Sequence, residues 1–404
     1  MINSKFFNFL SLSWVIVILL QFMRIEFAII YFPILIFFLI LNTYIIIVQG
    51  HIFNPISYVS FHIWIFYILI IYIAAMTFFA GNLNDFLRAL PRMTLMPITL
   101  IYLYNFITSK KQFEKIINIY IFFGAIGAIS IFYQIFFGPL SFLVETHERE
   151  GLERYASTLG SLNALGGAVG VIMLTILLKN KNFNFLNFFI FFLVGLAGVM
   201  SLSKAGFANV VLVLLWSIFI LDKRKIIPLL LGAVIFTWVF YIMFPDIKDY
   251  MDAAYNGLSI GEEEVNSSLE YQTFDRLLGF MKNLGSHSIW NNFFGWGLIG
   301  GSGAFGLPFG ASGTTHNQYA EFFNIGGVFL FVNVLSLFVC LMIKLYKLKK
   351  KDYLSRLFFH CNLLAMINMF FFNGFLYAPS TSFVLWLSMV YVLIYQEKNN
   401  EKNI

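Results

Sequence analysis

Residues 27–84 read FAIIYFPILIFFLILNTYIIIVQGHIFNPISYVSFHIWIFYILIIYIAAMTFFAGNLN, a stretch without one Asp, Glu, Lys or Arg. The pair Asn54-Pro55 breaks it in two, because proline ends a helix and the residue before it prefers extended backbone. Each half is long enough to supply the ~20 apolar residues that carry an α-helix across hydrocarbon. Neither half alternates polar and apolar positions in the ~10-residue segments of a transmembrane β-barrel. The reading is therefore two consecutive membrane helices.

The rest of the chain extends the pattern. Its 404 residues are 60% hydrophobic and 11% charged, with a mean hydropathy of +0.81, whereas soluble domains carry roughly 25% charged residues. The fold class expected is an all-α polytopic membrane protein. Apolar runs place about twelve spans near 6–22, 27–48, 58–80, 93–108, 114–137, 160–178, 185–200, 205–221, 226–244, 320–343, 356–377 and 381–395. The whole chain, 1–404, reads as one integral membrane domain.

Charge placement orients it. With the N-terminus inside, 17 of the 26 lysines and arginines fall in inner loops, including Lys110, Lys111, Lys223, Arg224, Lys225, Lys344, Lys347 and Lys349 to Lys351. The positive-inside rule then puts both termini in the cytoplasm. The formal charge of +6 is a topological signature and implies no nucleic-acid partner. Fifteen of the 20 acids lie outside, so the few outer bases stand out. The N-terminal run follows a single Lys5, lacks a small-x-small cleavage site before Arg24, and reads as a retained first helix. Cys340 and Cys361 lie in apolar spans and the six histidines are scattered, so neither a disulfide framework nor a bound metal is expected.

Two outer loops are long. The first, 138–159, begins Gly138-Pro139 and carries the charged run Glu145 to Arg154. The second, 245–318, is the one segment long enough for a small subdomain. Its first part reads as two short polar helices near 246–256 and 268–284. Its second part, 295–313, holds eight glycines in nineteen residues and no formal charge. Such composition fits a flexible linker, or a backbone that approaches a substrate closely for want of side chains.

Four cationic or titratable groups map to the outer side: Arg154, Lys204, Arg276 and His316. Together they suit a diphosphate, since arginine offers a fork of donors and lysine a point charge. Each has a plainer reading. Arg154 could snorkel and balance Glu150 and Glu153; Lys204, in Ser201-Leu202-Ser203-Lys204, could snorkel at a short turn; Arg276 beside Asp275 could form a solvated ion pair. His316 could be a hydrogen-bonded helix-start residue with Thr314 and Thr315 as caps. A serine nucleophile lacks its strand-to-helix elbow, because Gly301-Ser302-Gly303 has no such context. A paired-carboxylate glycosidase would need a cleft larger than this loop can fold.

In order along residues 150–345 stand Arg154 with Gly160 and Asn163, Ser201-x-Ser203-Lys204, Arg276 followed by Gly295-x-Gly297, and His316-Asn317-x-Tyr319 with Gly327. This pattern resembles the O-antigen polymerase and ligase superfamily of membrane glycosyltransferases. Ten residues separate His316 from Gly327, and ten separate Arg149 from Gly160, as in the paired x10 elements of polymerases in that family. Arg149 and Arg154 both remain matches for the functional arginine. Three positions depart from the pattern: Lys204 where Arg is commoner, Leu162 where Pro often precedes Asn163, and Ile325 where a polar residue often stands.

The resemblance implies a GT-C-like fold in a bacterial inner membrane, with the active site facing the periplasm. It implies undecaprenyl-diphosphate-linked glycans as substrates and a chain-length regulator and flippase of the same pathway as partners. It implies no cofactor and no metal. By the same resemblance, His316 and Arg276 are catalytic, Arg154, Arg149 and Lys204 bind the diphosphate, and Asn317, Tyr319, Gly327, Gly160 and Asn163 support the site. Polymerisation is the leading expectation. The alternatives are ligation of finished glycan to lipid A core and, from another class, a transporter or lipid flippase.

Overall fold

The structure is a computed structural model that describes residues 4–19, 36–37, 40–41, 43–44, 47, 57–79, 83–107, 109–143, 147–149, 152–160, 164–179, 185–221, 223–256, 289–295, 318–350, 352–370 and 379–401. The chain is mostly helical. Among the described residues, three helices are long and apolar enough to cross a membrane, over Tyr58–Met76, Lys110–Phe137 and Glu321–Leu348, and several shorter helices are apolar as well. This is what an all-α membrane protein requires.

Two compact units divide the chain. The first holds α1 (Ser4–Leu19), α4 (Lys110–Phe137), strands β1 (His147–Arg149) and β2 (Leu152–Arg154), α5 (Ala164–Lys179), α6 (Phe185–Met200), α7 (Lys204–Ile220), α8 (Lys223–Met243) and α9 (Pro245–Asn256). Its core is the group α4, α5, α6 and α7, in which α5 and α7 make the most extensive pairing. The second holds α2 (Tyr58–Phe79), α3 (Leu83–Phe106), α10 (Ile289–Phe294), α11 (Gln318–Leu348), α12 (Tyr353–Asn368) and most of α13 (Pro379–Glu401). Here α11 is the hub, packing on α2, α10 and α12.

Local chemistry explains the helix ends. Gln112 reaches back from the first turn of α4 to accept from the Ser109 N–H at 3.1 Å, satisfying a donor that a helix start leaves open. Ser203 caps α7 through its hydroxyl, which accepts from Gly206 N–H at 3.4 Å. Apolar stripes at helical spacing face outward, as lipid contact demands. On α8 these are Ile227, Leu231, Val234, Trp238 and Ile242. On α4 they include Phe122, Ile129, Tyr133 and Phe137.

Expectation and structure differ in three places. The loop 138–159 contains an antiparallel hairpin that pairs His147 with Arg154, Glu148 with Glu153 and Arg149 with Leu152. Gly151, between the strands in sequence, is the turn signal for it. The return segment 154–160, expected only as the end of a loop, is buried throughout. The first polar helix of the long loop forms as α9, and the short α10 appears where no helix was anticipated. The expected span 27–48 and polar helix 268–284 lie largely or wholly outside the described residues.

Candidate functional site

In the first unit, Arg154 ends β2 and is only 8% exposed. Its Nε donates to the Ser201 carbonyl at 3.1 Å, across 47 residues of sequence. The first two sequence landmarks are thus brought together, and burial argues against a snorkelling arginine. The receiving turn is tightly fixed. Ser201 Oγ donates to Gly198 O at 2.7 Å, and Leu202 N–H donates to Val199 O at 3.1 Å. Leu202 itself has φ 50, a left-handed conformation costing on the order of 1–3 kcal/mol in a non-glycine residue.

Small residues let the helices beneath this turn close up. Gly166 of α5 lies against the Ser203 side chain, Gly206 of α7 lies against the Gly198 carbonyl, and Asn209 Nδ2 donates to Gly166 O at 2.9 Å. Lys204 starts α7 directly after this turn, and Arg149 lies in β1. The backbone of both is placed, whereas their side chains fall outside the description.

The buried segment after Arg154 keeps its main-chain groups bonded, as burial requires. Gln134 of α4 donates to Ala156 O at 2.8 Å, and Thr158 N–H donates to Ser130 Oγ at 3.1 Å. Gly160 closes a turn by donating to Ser157 O at 3.1 Å. Tyr250 of α9 donates its hydroxyl to the Glu153 carbonyl, so α9 is tied to the hairpin. Burial first, and Glu153 second, hold the neighbouring Tyr155 phenol above its usual pKa.

In the second unit, α11 breaks at Gly327, which has φ 65 and ψ −162. Gly295, just past α10, has φ 76. These glycines cross backbone to backbone: a Cβ on Gly295 would strike the Ile325 carbonyl, and one on Gly327 would strike the Phe293 carbonyl. Two more landmarks therefore touch each other. Residues with a Cβ rarely adopt positive φ, and a Cβ would bar such an approach.

The turns of α11 before the break hold a buried polar pair. Gln318 is fully buried and Glu321 is 3% exposed, and Gln318 Nε2 donates to Glu321 Oε2 at 2.8 Å. Gln318 N–H donates to Met369 O at 2.8 Å and Tyr319 hydroxyl to Met366 O at 3.0 Å, which dock this end of α11 on the C-terminal turn of α12. Further along, His62 of α2 and Asn333 of α11 pair at 2.9 Å through Nδ1 and Oδ1, and Asn333 Nδ2 donates to His62 O at 3.1 Å. Sequence reasoning passed over Glu321, Gln318, His62 and Asn333. The signal for the first pair was a carboxylate three residues after an amide, which places both on adjoining faces of a first turn.

His316, Asn317, Arg276 and Asn163 lie outside the described residues. Among the described residues, no group of three or more His, Cys, Asp or Glu side chains is placed to hold a metal ion. Compared with known proteins, the chain matches no protein-family model and no curated protein.

Proposed function

We propose that this chain is a metal-independent membrane glycosyltransferase that polymerises undecaprenyl-diphosphate-linked repeat units into O-antigen or a related surface polysaccharide. The observation that carries the reading is the Arg154–Ser201 hydrogen bond, which joins the arginine landmark to the Ser-x-Ser-Lys landmark next to Lys204. Arg154, singled out as diphosphate-binding, and Ser201, three residues before Lys204, belong to one buried cluster although 47 residues separate them. The Gly295–Gly327 crossing gives a second landmark pair the same support.

In this mechanism a hydroxyl of the acceptor glycan attacks the anomeric carbon of the donor. A new C–O bond forms with inversion as the bond to the lipid diphosphate breaks. His316 takes the hydroxyl proton as general base, a contribution of roughly 10²- to 10⁴-fold. Arg276, with Arg154 or Arg149 and assisted by Lys204, stabilises the negative charge that develops on the departing diphosphate, where fixed cations act most strongly. The site faces the periplasm of a twelve-span protein, and the chain-length regulator and flippase of the pathway are its partners.

The test is the glycan profile of a strain lacking the protein. Lipid bearing a single repeat unit supports polymerisation; intact lipid-linked polymer that never reaches the surface replaces it with ligation to lipid A core; an unchanged profile refutes both. At residue level, His316→Ala and Arg276→Ala abolish chain growth while the protein still inserts in the membrane. Wild-type chain lengths in both variants would remove these assignments.

A second reading draws on the break in α11 beside buried Glu321, since interrupted helices and buried acids are also what ion-coupled transporters use. Ion-dependent flux through the purified protein in vesicles, together with an unchanged glycan profile, would favour it.

A further inference from the structure

We infer that the turn between α11 and α12 is a binding site for one anionic phospholipid, holding its headgroup phosphate. Residues 344–356 carry six cations, Lys344, Lys347, Lys349, Lys350, Lys351 and Arg356, against the single acid Asp352. Its Oδ2 accepts from the Tyr391 hydroxyl at 2.7 Å. With six cations to one acid, the turn keeps a large positive charge.

One of the cations is held in place by more than its own stem. Lys349 Nζ lies 3.9 Å from the Tyr346 ring centroid and 4.6 Å from that of Phe359. The two rings pack at 5.7 Å and bridge α11 to α12. Cation–π contact of this kind fixes an ammonium at an interface without neutralising it. A fixed charge binds a phosphate with less loss of side-chain entropy than a free one.

The occupant is a lipid and not a soluble anion because of what leads up to the turn. Leu335, Val339, Ile343 and Tyr346 are 38%, 46%, 50% and 57% exposed and lie on one face of α11. From Leu335 to Tyr346 this track is about 16 Å long, roughly half of a ~30 Å hydrocarbon core and hence one leaflet deep. It runs into the aromatic ring that carries Lys349. An acyl chain along the track and a phosphate at its end use both halves of the surface, and neither a free phosphate nor a nucleic acid uses the first.

The experiment takes the full chain purified in detergent and titrates it with phosphatidylglycerol or phosphatidylcholine, reading bound lipid by native mass spectrometry. Phosphatidylglycerol should bind at least about tenfold more tightly, and millimolar inorganic phosphate should not displace it. Lys347→Gln with Lys350→Gln changes two exposed side chains and should weaken phosphatidylglycerol binding by about 30-fold, since each basic residue at an anionic surface is worth roughly fivefold. Lys349→Arg, which keeps the charge over the rings, should bind as wild type does. Equal affinity for the two lipids, displacement by phosphate, or an undiminished double variant would each overturn the inference. The lipid comparison on the unaltered chain stands even if a variant fails to fold.

Discussion

Replacing Gly327 by alanine tests the crossing that organises the second unit. Two costs add. The angles φ 65 and ψ −162 belong to a region that residues with a Cβ scarcely enter, worth on the order of 1–3 kcal/mol. The new methyl group also meets the carbonyl of Phe293, a backbone group that no rotamer change can move aside. Overpacking of this kind costs about another 1–3 kcal/mol. At roughly 2–4 °C per kcal/mol the purified protein should lose on the order of 10 °C of thermal stability, read by intrinsic tryptophan fluorescence in detergent. Gly138→Ala is the control, because Gly138 has φ 89 but nothing within 4 Å of the added atom. It should show the conformational cost alone. Gly295→Ala should resemble Gly327→Ala, and the double variant should lose less than the sum, since both break one contact. If Gly327→Ala unfolds no earlier than Gly138→Ala, the crossing is not what fixes the break in α11.

Other expectations follow from the same geometry. Arg154→Ala removes a charged donor from the Ser201 carbonyl and should destabilise the protein by about 1.5–3 kcal/mol in the same thermal assay. Asn333→Leu should cost about 1–3 kcal/mol by stranding the His62 ring, and the double variant His62→Phe with Asn333→Leu should recover much of it, because no ring nitrogen is then left without Asn333 and only the His62 carbonyl loses its second donor. Tyr155 titrates above the ordinary value of 10.0 in the folded state. The folded protein therefore holds that proton more tightly, and stability is fully present below pH 10 and declines as pH rises beyond it. Tyr155→Phe should flatten that decline in unfolding temperatures measured between pH 9 and 11; an unchanged slope would show that Tyr155 does not contribute.

The helices were legible because lipid imposes a simple requirement on composition. Expected spans 58–80, 185–200 and 205–221 fall within a few residues of α2, α6 and α7, and the polar helix at 246–256 is α9. What escaped was set by contacts between distant residues. Nothing local to Arg154 names Ser201 as its partner. Gly326-Gly327 reads as a pair of small residues, and whether such a pair bends a helix depends on what presses against it, here the end of α10. Nothing local to Glu321 announces its burial, which is supplied by packing around the first turn of α11, where Gln318 bonds it and α12 docks. Of the candidate site, Arg154, Gly160, Gly295, Tyr319 and Gly327 can be placed with their contacts, and the sequence order already had each of them.

The break at Gly327 also makes α11 two helices with independent phase. In an unbroken helix, one inserted residue turns everything on one side of it by 100° relative to the other. Inserted within 318–326, such a residue can be absorbed at the non-helical joint, leaving 328–348 facing its neighbours as before. Inserted between residues 332 and 339, where no joint can absorb it, it would turn Val339 and Ile343 by 100° relative to Val332 and break the exposed stripe. The turns that carry Gln318, Tyr319 and Glu321 are therefore free to change length while the long apolar segment keeps its orientation.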